Sequence, residues 1–365
     1  MKKAKPTKKG RGDRWFTDHP VTSLTLFWVV NLMLLELLLR GLNPGILQFT
    51  HQARQVHGYS RPWKMDLKPN QVAHMRLVAP DGQLLYNFLL TTGPDGFRTY
   101  DRGIDRTWTP VAASADATGT KTRHMIHAVG DSFTMGWGVD YASSYPAQLD
   151  WLLPVDYSVL NLGMDGFGTV AATEKSMALW DRFPADHVIY LFSPNDMEDD
   201  EKIQAYRQRG ALYHFLYEFY DILRRDTYTA NLPTAIKWFA YFGEMRNRTD
   251  VVTEKTQSIE TARSSDILFE VDALDVEIPD VMHPSLRQIL RYSEFLRARG
   301  SALTVYVYSA EPQSLVFYRF CVDHGIEAHL FDVGDDMKLL RDGHLNYAGN
   351  YAFARLVRDR VLADR

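Results

Sequence analysis

A parallel α/β sheet covered by helices on both faces is the fold this chain predicts. Three observations carry it. Short apolar runs recur from residue 123 onward, helix-period stretches fall between them, and polar or glycine-rich clusters follow the runs. The alternation is not built from an internal repeat.

The chain opens on a basic segment, residues 1–14, with seven Lys/Arg and one Asp. Residues 21–39 follow as a run that is apolar all round. Nineteen residues at ~1.5 Å each span about 28 Å, close to the hydrocarbon thickness of a bilayer. Charge before the span and little after it predicts a cytoplasmic N-terminus, with the rest of the chain outside the cytoplasm. No small-residue cleavage site follows Leu39, so a retained anchor is expected rather than a signal peptide. Two polar residues lie inside the run. Glu36 sits near its far end beside Arg40 and can pair or snorkel. Asn31 lies nearer the middle and wants a hydrogen-bond partner, either within an isolated anchor or on another helix.

Residues 1–20 are thus read as a cytoplasmic tail and 21–40 as the span. Residues 41–122 form a connecting region rich in Pro, Gly and aromatics, with short β-like runs at 75–78 and 84–90 and a small, polar surface loop at 109–122. The α/β domain occupies 123–365. Its strands are expected at 125–129, 157–162, 188–193, 303–308 and 328–333. Helices are expected at 145–153, 169–183, 283–299, 313–324 and 346–362. A long insertion, about 197–282, contains two aromatic helical stretches at 211–223 and 232–245. It either packs on the core or the membrane surface, or covers the site.

Composition narrows the function. A net charge of −4 and the lack of a Lys/Arg stripe interleaved with aromatics set nucleic acid aside. Aromatic content of 13% argues for a packed globular domain. The one cysteine, Cys321, allows no internal disulfide and no Cys/His zinc site. In its apolar surroundings it reads as a small buried hydrophobe. No metal and no cofactor are expected.

Ligands gather at the carboxyl ends of strands in an open parallel sheet. Four clusters fall there or open the last helix: Gly130-Asp131-Ser132-Phe133-Thr134, Gly163-Met-Asp-Gly-Phe-Gly, Ser193-Pro194-Asn195-Asp196 and Asp342-Gly343-His344-Leu345-Asn346. Together they supply the parts of an acyl-transfer site. Ser132 is the candidate nucleophile on a tight strand-to-helix turn. His344 is the candidate base and Asp342 its orienting carboxylate. The Ser132 and Gly163 N–H groups and the Asn195 side-chain amide are candidate oxyanion donors, one such donor being worth ~3 kcal/mol of barrier. Asp131 reads as a turn cap. His127, His324 and His329 read as structural, Glu198-Asp199-Asp200-Glu201 as a solvated helix start rather than a cation site, and Trp137 as either pocket lining or packing.

These blocks, in this order, resemble those of the SGNH (GDSL-like) hydrolase superfamily. The resemblance covers roughly residues 93–365 and extends to Pro94-Asp-Gly-Phe-Arg, Gly136-Trp-Gly-Val and Asn161-Leu-Gly-Met-Asp-Gly-Phe-Gly-Thr, which look like the forms in membrane-anchored bacterial members. It implies a three-layer α/β/α sandwich, Ser132 as nucleophile, His344 as base, Asp342 as its partner, and Ser132, Gly163 and Asn195 as oxyanion donors. The commonest family pattern sets the acid three residues before the histidine, whereas Asp342 is two before it. Relatives that move O-acetyl groups on exported polysaccharides share the closer spacing, and Asp336 is the alternative acid.

Two functions are therefore expected. One is an extracytoplasmic, membrane-anchored esterase, deacetylase or O-acyltransferase acting on an acylated glycan or lipid. The other is an accessory subunit of a membrane complex, photosynthetic or respiratory for example, built on the same scaffold and meeting other subunits near Asn31 and Glu36. The bilayer, through residues 21–40, is a partner in both.

Overall fold

A computed structural model describes residue 15 and residues 18–79, 81–99, 124–246, 267–269 and 282–363. The basic tail read at 1–14, the loop read at 109–122 and most of the insertion beyond residue 246 lie outside the described residues.

The first element, α1 (Pro20–Leu42), is a 23-residue helix long and apolar enough to cross a membrane, and none of its residues is buried. Asn31 satisfies its amide within the helix by donating to the Phe27 carbonyl at 2.7 Å. Next come α2 (Gly45–Val56) and two antiparallel hairpins, β1 (His57–Ser60) with β2 (Lys64–Leu67), and β3 (Val72–Val78) with β4 (Leu84–Thr91). The β3 burial pattern alternates, as expected of a hairpin with one packed face. Phe49, Leu67, Met75, Tyr86, Phe88 and Phe97 join the main core, so this region is part of the packed body. Trp137 packs edge-on against Phe49, Tyr86 and Phe88.

The five expected strands are present as β5 (His124–Gly130), β6 (Tyr157–Asn161), β7 (His187–Phe192), β9 (Ala302–Tyr308) and β10 (Glu327–Phe331), all mutually parallel. A two-residue strand, β8 (Leu268–Phe269), pairs antiparallel with β10 at the edge. The order is β6-β5-β7-β9-β10-β8. Successive side chains of a strand point to opposite faces. Val188, Tyr190 and Phe192 accordingly enter one core with Leu286, Ile289 and Phe317, while Ile189 and Leu191 enter the other with Leu149, Phe353 and Val357. Both faces being apolar is why these strands read as continuous runs rather than alternating ones.

One face is covered by α5 (Thr169–Ala178), α9 (Pro284–Arg297) and α10 (Pro312–Asp323), the other by α4 (Tyr145–Leu152) and α11 (Tyr347–Ala363). This is the three-layer α/β/α arrangement. The short α3 (Ser132–Met135) follows β5 directly. The insertion contributes α6 (Asp196–Arg207), α7 (Ala211–Asp226) and α8 (Leu232–Arg246). The helix expected at 169–183 stops at Ala178, because the next residues turn to bury Trp180 and Phe183.

β5 has β6 on one side and β7 on the other, so the strand order reverses there. The crevice at such a switch point is where an open α/β sheet holds its ligand.

Candidate active site

β5 ends at Gly130 and the chain turns sharply into α3. The turn is made by local chemistry. Asp131 caps the helix, its Oδ1 accepting from the Phe133 N–H at 3.0 Å. Gly136 closes it at φ 79°, a left-handed conformation suited to glycine. Ser132, at the first helical position, keeps one of the N–H groups a helix start leaves unmade.

Opposite, the segment before α11 brings His344 to the same crevice. The Ser132 hydroxyl donates to His344 Nε2 at 2.7 Å, and His344 Nδ1–H donates to Asp342 Oδ2 at 2.8 Å. Asp342, two residues before the histidine, therefore reaches it. The alternative acid, Asp336, lies in a separate 3₁₀ turn, its carbonyl accepting from Asn346. Burial works against a charged His344, but the charge and hydrogen bond of Asp342 outweigh it and raise its pKa above the ordinary 6.5. A general base must be neutral. kcat/KM for an ester is therefore expected to fall on acidification with a midpoint above 6.5, checked by a pH–rate profile.

The candidate oxyanion donors are placed unequally. Ser132 and Asn195 both line an open cleft of about 1280 Å³, with Asp342 and His344. The Asn195 amide donates to Asp131 Oδ2 at 3.2 Å and to Asp199 Oδ2 at 3.1 Å, so one of these bonds must open for it to meet an oxyanion. Gly163, the third candidate donor, has its N–H engaged, in this conformation by Asn161 Oδ1 at 2.9 Å. What the site requires of residue 163 is the missing side chain: a Cβ there would lie 2.2 Å from the Met135 N and 2.5 Å from the Thr134 carbonyl carbon.

Behind the nucleophile lies a buried acid network. Ser193 Oγ sits 2.6 Å from Asp131 Oδ2, 3.0 Å from Asp196 Oδ1 and 2.9 Å from Asn195 Oδ1. One hydroxyl proton cannot serve three acceptors. A proton on Asp196 lets it donate to Ser193, which then donates to Asp131, and the contact with Asn195 Oδ1 is left without a proton of its own. Burial first, then the Asp131 charge, push the Asp196 pKa well up. Asp131 thus does more than cap the turn, since it also holds Asn195.

Several residues are beyond what the blocks foretold. Arg98, in the Pro94-Asp-Gly-Phe-Arg segment, is buried and donates to the carbonyls of Met135 at 2.8 Å, Gly136 and Val139, gripping the end of the nucleophile turn. Arg98→Met leaves these carbonyls unpaired and is expected to lower stability by about 3 kcal/mol, read as a lower urea midpoint at unchanged slope. His57 donates to Asp165 Oδ1 at 2.6 Å and so ties the loop after β6 to the β1–β2 hairpin. Asp200 was expected to be solvated at a helix start. It is instead fully buried, accepting from Ser285 Oγ at 2.6 Å and Val170 N at 2.8 Å, and burial lifts its pKa to about 7. Among the described residues no cluster of His, Cys, Asp and Glu could hold a metal ion. Cys321 is buried, its thiol pushed up by burial.

No family model and no curated protein matches the chain. Solved structures similar to it include a member of the lipolytic protein G-D-S-L family from Veillonella parvula, at 12% identity over 66% of this chain and 97% of that one, TM-score 0.33. Another is the psychrotrophic esterase EstA from Pseudoalteromonas sp., at 9% identity over 66% and 100%, TM-score 0.37. A third is Est24, a carbohydrate acetylesterase from Sinorhizobium meliloti, at 15% identity over 67% and 100%, TM-score 0.35. The chain resembles the SGNH (GDSL-like) hydrolases in its four sequence blocks and in the α/β sheet whose edge gathers them.

Proposed function

We propose that the chain is a membrane-anchored serine hydrolase or O-acyltransferase that acts outside the cytoplasm on ester-linked acyl groups of a glycan. The observation that supports this most is the unbroken relay from Ser132 Oγ through His344 to Asp342, at 2.7 and 2.8 Å, in a cleft open to a substrate. Ser132 Oγ attacks the ester carbonyl as its proton passes to His344 Nε2. The carbonyl oxygen becomes an oxyanion facing the Ser132 N–H and the Asn195 amide. Collapse breaks the bond to the alcohol, which leaves with the proton from His344. Water or a second hydroxyl then takes the acyl group from Ser132 by the reverse sequence.

The cleft wall favours a sugar over an anionic lipid. Besides Asp342 and His344, among the described residues it offers Phe133, Tyr241 and Tyr308 as flat faces and four further carboxylates, Glu198, Glu201, Glu311 and Asp332, against Lys338 and His283. Such a rim repels phospholipid headgroups and uronates. The α1 helix supplies the anchor.

The test is ester cleavage by protein purified in mild detergent, first on p-nitrophenyl acetate and then on acetylated oligosaccharides. The reading expects release from p-nitrophenyl acetate, and several-fold faster deacetylation of uncharged than of uronic oligomers. No cleavage of any ester would overturn it.

A further inference from the structure

The helix α7 is inside out. A surface helix ordinarily buries its apolar stripe and shows its polar face to water. Here Leu212, Phe215, Leu216, Phe219, Ile222 and Leu223 lie on one face at helical spacing, and they are between 38% and 71% exposed. Two charged residues, Asp221 and Arg224, turn inward instead. Arg224 is 7% exposed and donates to Thr234 Oγ1 at 2.8 Å, while Asp221 Oδ2 accepts from the Tyr59 N–H at 3.1 Å. A contiguous exposed apolar face of this kind marks a partner of like polarity.

The end of α7 is fixed to the apolar span. The Glu36 carboxylate, in α1, accepts from the N–H groups of Tyr228 at 3.0 Å and Thr229 at 2.8 Å and from the Thr229 hydroxyl at 2.7 Å. Arg40 bridges to Glu36 at 2.7 Å and donates to the Asp226 carbonyl at 2.6 Å. The Tyr228 hydroxyl reaches Asn43 at 3.0 Å. An α-helix of 23 residues is ~34 Å long and a bilayer core is about 30 Å thick, so the last turns of α1 lie at the membrane surface. The turn they hold, and the end of α7, lie there too.

We propose that the apolar face of α7 lies in the interface of the bilayer that α1 crosses, a second, in-plane contact that sets how the domain stands on the membrane. The inference rests on the anchor reading of α1. The phenylalanines of the stripe, with Tyr213 and Tyr217 beside them, suit the depth of headgroups and upper acyl chains. The next helix, α8, starts from the turn held by Glu36 and carries Tyr241 into the cleft wall. Seating α7 therefore also fixes the cleft relative to the lipid surface.

The test uses the whole 365-residue chain in nanodiscs, with and without doxyl-labelled phosphatidylcholine as a lipid-borne quencher. Cys321 is buried, so single reporters can be attached to Phe215→Cys, Phe219→Cys, Val30→Cys in α1 and Val155→Cys, a site 87% exposed on the sheet domain. The proposal expects quenching by the lipid at 215, 219 and 30, and none at 155. Quenching at 30 but not at 215 and 219 overturns the proposal and leaves the anchor standing. No quenching at 30, 215 or 219 overturns both. An apolar emission at 215 without lipid quenching means that protein covers this face, and it too overturns the proposal.

Discussion

Ser132→Ala lowers ester cleavage by about 10⁴- to 10⁶-fold and leaves the fold in place, if the relay described above is the working machinery. The size follows from what is lost. Without Oγ there is no covalent intermediate and His344 has no hydroxyl to deprotonate, while the cleft and its oxyanion donors persist. Ser132 Oγ faces the cleft, so water can replace it on His344 Nε2 and the melting temperature should barely move. Activity is read with p-nitrophenyl acetate and folding by thermal unfolding of the same samples. A variant that melts normally and keeps its activity would place the chemistry elsewhere.

Asp342→Asn is the second large effect. The carboxylate accepts from His344 Nδ1 and so keeps Nε2 free to take the Ser132 proton. An asparagine at this place can offer N–H instead and favours the wrong tautomer, a change that lowers kcat by about 10⁴-fold in a Ser-His-Asp triad. The same exchange removes the charge that holds the His344 pKa up against burial. Any residual activity should therefore show its acidic midpoint at lower pH than in the parent protein. Asp336→Asn is the control, because its 3₁₀ turn is apart from His344, and it should retain nearly full activity.

The layout of the sheet was legible in the sequence because its strands are buried on both faces. Residues 188–192 are all buried, so the run is unbroken. The site was legible for a related reason: each cluster follows a strand or opens a helix, and the topology brings those ends to one edge. What could not be read was held by distant partners. Arg98 grips Met135, His57 meets Asp165 and Glu36 caps a turn at Thr229, across 37, 108 and 193 residues of sequence. Periodicity reports a residue's own element and is blind to such pairs. Gly163 shows a different limit. Its place in the block was legible, yet the glycine answers first to the close approach of Met135 and gives its N–H to Asn161. Asp200 belongs to an acidic run that looks solvated, but one side of α6 faces α9, and that residue alone of the four is buried against Ser285.

The most direct measurement is intact and peptide mass after reaction with a fluorophosphonate, which labels only a serine whose hydroxyl is activated. The account predicts one adduct per chain on the peptide bearing Ser132, lost in Ser132→Ala and much slower in Asp342→Asn. No adduct on folded protein, or an adduct at another serine with Ser132 unmodified, would contradict it.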